Sequence, residues 1–406
     1  MIRVKERKTC RVSNGPLVDI LDLGNLPFST FPKPGEYANL APLPLKLCIN
    51  QESKLVQLRH TVDPDAMYSE YWYMSGVNQS MTLALKSIVQ EALKRVGKEL
   101  KKGDIVVDIA SNDGTLLSAY PDHFFRIGID PAKNIRPKVC DLHINTYFSA
   151  RAYKKEMGDK KAQIVTSIAM FYDLEDPVQF SRDVAEILDE KGLWIIELSY
   201  LPTMLKTNSF DTICSEHLEY YSLESIEYIL RQTGFAIEDV ELNNVNGGSF
   251  RVYVRHASHA KETEAVRSLR LSEVEMKLGS LQTYIDFSNR VQKNKQEMLA
   301  FLKKQKERGK KVFAYGASTK GNSLLAYYGI GPDLVPFATE RNPIKWGRQT
   351  VTGIPIISEA AAREMKPDYF LALPYHFISE FLRREGDFLK GGGKFVLPVP
   401  SLTIVP

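Results

Sequence analysis

Short continuous apolar runs alternate with helical patterns along the middle of the chain. Ile105 to Ile109, Phe125 to Asp130, Ile164 to Ile168 and Leu193 to Glu197 each read as a buried strand. Val178 to Leu188 has helical spacing between the last two. Ahead of them, Leu85, Ile88, Val89, Ala92, Leu93 and Val96 predict a helix within Met81 to Leu100. Strands alternating with helices predict an α/β fold with a parallel, doubly wound sheet, closed by a strand over Phe250 to Val254. From residue 259 to about 308 the stripe Val274, Leu278, Leu281, Ile285, Val291, Met298 and Leu302 predicts one long amphipathic helix. A second α/β series then runs through Lys311 to Gly316, Val335 to Ala338, Tyr369 to Leu373 and Phe395 to Leu397. Residues 1–62 are rich in Pro and turn signals, with short apolar runs, and predict a small β-rich module. The expected division is therefore 1–62, 63–258, a linker helix over 259–308, and a smaller α/β domain over 309–406.

Composition changes this picture little. The 406 residues carry a net charge of +4, too small an excess to imply nucleic acid, and no apolar run is long enough to span a bilayer. The first residues lack the apolar core of a signal peptide, so the cytoplasm is the expected location. The four cysteines include no Cys-x-x-Cys pair, so no metal site is expected from them.

The first strand runs into Asp108-Ile109-Ala110-Ser111-Asn112-Asp113-Gly114. A strand, tight turn and helix place backbone amides beside a ligand at the carboxyl edge of a sheet. Asp130 ends the next strand, where a carboxylate can accept hydrogen bonds from both hydroxyls of an adenosine ribose. The pairing suits NAD or S-adenosylmethionine. The Gly-x-Gly-x-x-Gly signature of a dinucleotide site is absent, and the polar, acidic turn suits a cofactor with a sulfonium and an amino acid better than a pyrophosphate.

Three further segments carry candidate chemistry. Glu216, His217, Tyr220 and Tyr221 cluster within a few residues, and a Glu-His pair beside tyrosines suits a general base. The loop Asn243 to Arg251, with Asn246, paired glycines, Ser249 and Arg251, suits close backbone approach to an oxyanion or phosphate. Tyr315-Gly316-Ala317-Ser318-Thr319-Lys320 follows a strand and opens a helix, where small residues and one Lys can hold a diphosphate. Arg341, Lys345 and Arg348 add positive charge downstream.

In order and spacing, these segments resemble the C-methyltransferases that act on nucleotide-linked deoxysugars. The resemblance also includes Tyr71-Trp72-Tyr73-Met74-Ser75-Gly76-Val77-Asn78, Ser167 to Leu174 and Arg341 to Arg348, and covers nearly the whole chain. It implies a zinc-binding N-terminal module, a central Rossmann-like class I methyltransferase domain and a C-terminal α/β domain that helps bind the nucleotide-sugar. S-adenosylmethionine would lie over Asp108, Ala110, Asn112, Asp113 and Gly114, with Asp130 on its ribose and Ser167 and Ala169 alongside. His217 would take a proton from carbon next to a ketone, with Glu216, Tyr71 and Tyr73 assisting. Tyr221, Asn246, Ser249, Arg251, Tyr315, Ser318, Lys320, Arg341 and Lys345 would line the substrate. The chain departs from the family at Ser13 and Gln51, which stand where zinc-binding members carry the second Cys of each pair; only Cys10 and Cys48 remain, so zinc is expected to be absent or weak. Ala110 replaces a common Gly, tolerable if its backbone is ordinary, and Cys214 replaces a Tyr found in some relatives. The competing expectations are an O- or N-methyltransferase on a similar sugar, or a nicotinamide-dependent sugar oxidoreductase.

Overall fold

The structure is a computed structural model that describes residues 3–63, 67, 74–77, 79–97 and 100–406. Tyr71 and Tyr73 lie outside the described residues. The central sheet has seven strands: β1 Ile105–Ile109, β2 Phe125–Ile129, β3 Leu142–Ile144, β4 Ala162–Ile168, β5 Leu188–Ser199, β6 Phe235–Asn243 and β7 Ser249–His256. Their spatial order is 3-2-1-4-5-7-6. The pairs among β1 to β5 are parallel, whereas β7 runs antiparallel to both β5 and β6. The sheet is thus mixed at one edge, a correction to the wholly parallel expectation.

Burial explains which strands the sequence showed. All five side chains of β1 are buried, because helices cover both faces of a parallel sheet. The short β3 and the acid-bearing β6 are only partly buried, so neither produced a continuous apolar run.

The expected linker helix is two helices, Glu264–Glu275 and Leu281–Glu307. The chain turns between them through Lys277 in the left-handed region (φ 53°), and Ser280 caps the second helix. Leu278, Val291, Met298 and Leu302 are buried as the stripe predicts, but Val274 and Ile285 face solvent because the break rotates the stripe off the core.

The N-terminal strands Val18–Pro27, Pro42–Ile49 and Val56–Leu58 form a four-stranded sheet whose edge strand is Glu219–Tyr220, just beyond His217. Gln57 pairs with Glu219 and Val56 with Tyr220, and the Leu58 amide donates to the Leu218 carbonyl (2.8 Å). The small N-terminal region therefore holds one end of the Glu-His segment.

The C-terminal region builds its own sheet, in spatial order Ile356–Ser358, Ala338–Glu340, Val312–Tyr315, Tyr369–Ala372, Lys394–Leu397 and Thr403–Val405, antiparallel only at the last pair. The helix Thr319–Tyr328 follows its central strand and faces the turn Phe210–Thr212 of the central domain, with Phe210 packed against Tyr327 and Tyr328.

Candidate active site

The turn after β1, the candidate cofactor turn, has an unusual conformation. Ala110, Asn112 and Gly114 all have positive φ (59°, 50° and 77°). Ala110 is therefore not in the ordinary backbone that would make Ala equivalent to Gly, and a left-handed Ala costs about 1–2 kcal/mol. Hydrogen bonding holds the turn in place. The Ala110 amide donates to the Ile129 carbonyl (2.8 Å), and the Asn112 amide to Asp130 Oδ2 (2.8 Å). Asp130 Oδ1 accepts from the Ala132 amide (2.8 Å). Each Asp130 oxygen thus accepts one backbone hydrogen bond and has the capacity to accept another. Gly114 fits because a Cβ there would stand 2.8 Å from Pro137 Cβ.

A second turn, Ser75–Val77, sits on the first. The Ser75 amide donates to Asn112 Oδ1 (3.1 Å) and the Gly76 amide to Asp113 Oδ2 (2.9 Å). Asp113 Oδ1 meanwhile accepts from the Thr115 hydroxyl (2.6 Å). The Asn112 and Asp113 side chains therefore brace the turn from within the protein.

Asp108 is buried at the end of β1 and accepts from the Thr166 hydroxyl (2.6 Å). Burial pushes its carboxyl up to about 7, opposed by the Thr166 hydrogen bond and aided by the Asp130 charge. Across the strand, Ser167 points the other way. It is fully buried and accepts from the Trp194 indole (3.1 Å), so its hydroxyl belongs to the core and not to a cofactor cleft. Ala169 ends β4 with φ 54°, its amide on the Glu197 carbonyl (2.7 Å).

His217 lies at the same edge. Its ring packs on Tyr172, just past β4 (centroids 4.3 Å), and the Leu218 amide donates to the Tyr172 carbonyl (2.7 Å). Nδ1 is 2.9 Å from the Thr212 carbonyl. A carbonyl only accepts, so Nδ1 carries the proton and Nε2 keeps a free lone pair. Burial, with help from the Lys320 cation, pushes the imidazole down to about 4, so it is neutral at pH 7. Burial raises the neighbouring Glu216 to about 7.

Lys320 joins this group from the C-terminal domain. Its Nζ donates to the Asn246 carbonyl (3.0 Å), and its charge depresses both His217 and His376. The structure therefore brings together the glycine loop, the Glu-His segment and the lysine at the helix start. Asn246 itself is left-handed (φ 54°) and offers that carbonyl. Ser318 caps the helix, accepting from the Gly321 amide (3.0 Å), and Ser249 donates to the Val245 carbonyl (2.9 Å).

Other expected substrate residues are turned away. Arg251 is buried in the sheet and donates to Glu197 (2.6 Å), so no oxyanion can reach it. Tyr315 is buried among Phe370, Phe381 and Phe395, with its hydroxyl on Glu385 (2.7 Å). Tyr221 is fully buried against Phe171. In each case the residue type suited ligand contact, but the strand register directs the side chain into a core. Lys345 is half-used, on the Ala317 carbonyl (2.8 Å) and Glu340 (3.3 Å), while Arg341 is exposed beside Glu380 (3.4 Å).

Residues 81–240 match the family model of a methyltransferase domain, and residues 244–400 match that of the C-methyltransferase C-terminal domain. In sequence and domain order the chain is similar to the S-adenosylmethionine-dependent C-methyltransferases. It is 29% identical over 371 residues to the C-methyltransferase NovU of Streptomyces niveus, covering 89% of this chain and 87% of that one. Solved structures overlay more thinly. Magnesium protoporphyrin IX methyltransferase from Synechocystis covers 43% of this chain and 79% of its own, at 14% identity and TM-score 0.31. An S-adenosylmethionine-dependent methyltransferase from Clostridium acetobutylicum covers 43% and 91%, at 12% and 0.31. The class I fold of the methyltransferase rests on its strand order and the family match.

The N-terminal cysteines of this methyltransferase do not fit a structural zinc. Cys48 is buried, its thiol pushed up to about 12 by burial and donated to the Gln57 carbonyl (3.4 Å). Cys10 lies 3.4 Å from the Ser53 hydroxyl. Asn50 ties the two turns instead: its Oδ1 accepts from the Ser13 hydroxyl (3.0 Å) and the Ser53 amide (2.8 Å), and its Nδ2 donates to the Pro16 carbonyl (2.9 Å). A thiol that burial holds in its protonated form, one further cysteine, a hydroxyl and an amide are a poor donor set.

Sequence reasoning missed Thr166 and Thr212, whose hydroxyl and carbonyl meet Asp108 and His217. Only Gly76 carried a local signal, in a motif read for its tyrosines.

Proposed function

We propose that this methyltransferase transfers a methyl group to carbon beside the ketone of a nucleotide-linked sugar, with His217 as general base. The observation that carries the reading is the hydrogen bond from His217 Nδ1 to the Thr212 carbonyl, which leaves Nε2 unprotonated at the carboxyl edge of β4. Asp130 would hold the cofactor ribose and Asp108 the amino group of its methionine part, a cation beside a buried carboxylate. When bound, S-adenosylmethionine supplies an electrophilic methyl carbon on a sulfonium, for which an enolate carbon is a suitable nucleophile.

The rest falls to the protein. His217 Nε2 takes the proton from the carbon next to the ketone, and the electron pair of the C–H bond passes to the carbonyl oxygen. A base held near 4 is weak, so the developing oxyanion needs a cation or donor close by. Lys320 is such a cation, and its place at the start of a helix also suits it to a phosphate of the nucleotide. Glu216 would orient a sugar hydroxyl or stabilise the imidazolium.

The test uses a panel of nucleotide-linked 4-keto sugars in deuterated solvent. His217→Ala is expected to lower both deuterium exchange beside the ketone and methyl transfer by about 100-fold or more. Methylation at the wild-type rate in that variant would instead favour a heteroatom acceptor, which needs no enolate.

A further inference from the structure

The turn that sets the tautomer of His217 is itself held from the C-terminal domain. Phe210–Thr212 is one turn of 3-10 helix, and its last residue supplies the carbonyl on His217 Nδ1. Asp211, in the middle of that turn, is 1% exposed. Burial raises its carboxyl above the ordinary range, and the Lys320 charge and a hydrogen bond from Tyr375 act against that. The Tyr375 hydroxyl stands 3.0 Å from Asp211 Oδ1 and 2.9 Å from Ser209 Oγ. A phenol has one proton to give, and the carboxyl oxygen is the stronger acceptor. Tyr375 follows the C-terminal strand Tyr369–Ala372, so this contact crosses between domains far apart in sequence. On the other side, Tyr327 and Tyr328 pack edge-on against Phe210. The turn has few ways to move while these contacts stand.

We propose that Tyr375 is a positioning residue for His217: by bonding Asp211 and Ser209 it fixes the turn 210–212, whose Thr212 carbonyl keeps the imidazole proton on Nδ1 and presents Nε2 to the substrate. The proposal rests on His217 being the base. It gives the C-terminal domain a second task besides holding the nucleotide: without it the base loses its orientation. Lys320 belongs to the same arrangement, since its charge faces Asp211, His217 and His376 together.

Tyr375→Phe keeps the ring packing and removes only the hydroxyl. Two readouts on the full-length protein test it. Nitrogen NMR of histidine-labelled protein near pH 7 should show His217 as a single Nδ1-protonated tautomer in the wild type and as a mixture in Tyr375→Phe. Deuterium exchange beside the ketone should fall about 10- to 100-fold, because a small misplacement of a base is costly, while KM changes less than about threefold. Asp211→Asn keeps an oxygen for the Tyr375 proton and should retain most of the exchange rate; Asp211→Ala should lose it as Tyr375→Phe does. A wild-type tautomer and exchange rate in Tyr375→Phe overturn the proposal. Should that variant not fold, equal rates in Asp211→Asn and Asp211→Ala overturn it too. Exchange at full rate in His217→Ala would sink the base assignment instead, and the tautomer readout separates the two failures because it needs no reaction.

Discussion

Asp108 shows how one buried carboxyl can link proton and cofactor. Its pKa is raised from 3.8 to about 7, chiefly by burial, so near neutral pH it is only partly ionised. A cofactor ammonium beside it would favour the charged form, and binding would release a proton. S-adenosylmethionine affinity is therefore expected to strengthen as pH rises from 5.5 to 7, by at most about tenfold per unit, and to level off above. Calorimetric titration across that range checks this, and Asp108→Asn should bind more weakly at pH 8 with a flat profile. The same shift has a consequence for the free protein. The native state keeps a proton that the unfolded chain has already lost, so this group makes stability fall as pH climbs from about 4 to about 7. None of this was visible in the residue type. Asp108 stood out by its place after an apolar strand, but its protonation depends on the helices and Thr166 that enclose it.

At the scale of elements, the candidate cofactor turn is one of two stacked turns. Ser75–Val77 lies close enough that a Cβ on Gly76 would stand 2.8 Å from both Asp113 Oδ2 and Thr115 Oγ1. Those two atoms belong to a hydrogen-bonded set and cannot swing aside freely. Gly76→Ala is expected to overpack this joint at about 1–3 kcal/mol. It should weaken S-adenosylmethionine binding about tenfold in a calorimetric titration. Unchanged affinity would show that the upper turn does not brace the lower. The central strands were legible because strands buried on both faces are continuously apolar. β6 escaped because Glu238, Asp239 and Glu241 interrupt it, each paired with an arginine of a neighbouring element. The break at 276–280 escaped because the apolar spacing carries on across it, and periodicity does not register a change of direction.

Across the whole molecule, one hydrophobic cluster runs from Leu21 and Leu47 in the N-terminal sheet through Phe210, Ile213 and Leu218 around the Glu-His segment. It continues along Val291 and Met298 of the long helix to Leu371 and Val399 of the C-terminal domain. A core shared in this way packs the three regions against one another, and their unfolding is expected to be coupled. Thermal unfolding followed by tryptophan fluorescence and by far-ultraviolet circular dichroism should therefore give coincident transitions. A chain ending at residue 308 should expose that shared surface and aggregate; a soluble 1–308 fragment with its own cooperative transition would contradict this. Among the described residues, no helix is long and apolar enough to cross a membrane. What the sequence determined by itself was local: the strand and tight turn at Asp108 to Gly114 and the acid closing the next strand at Asp130, since strand burial and turn chemistry follow from neighbouring residues; the helix expected after the turn is only the 3-10 turn Leu117–Ala119. Tertiary structure alone decided which polar side chains meet beside His217 and which are buried elsewhere. Register turned Ser167, Tyr221, Arg251 and Tyr315 into the cores, and domain packing brought Lys320 and Tyr375 to the turn beside His217. Residue type determines what a side chain can do, whereas its direction depends on partners distant in sequence.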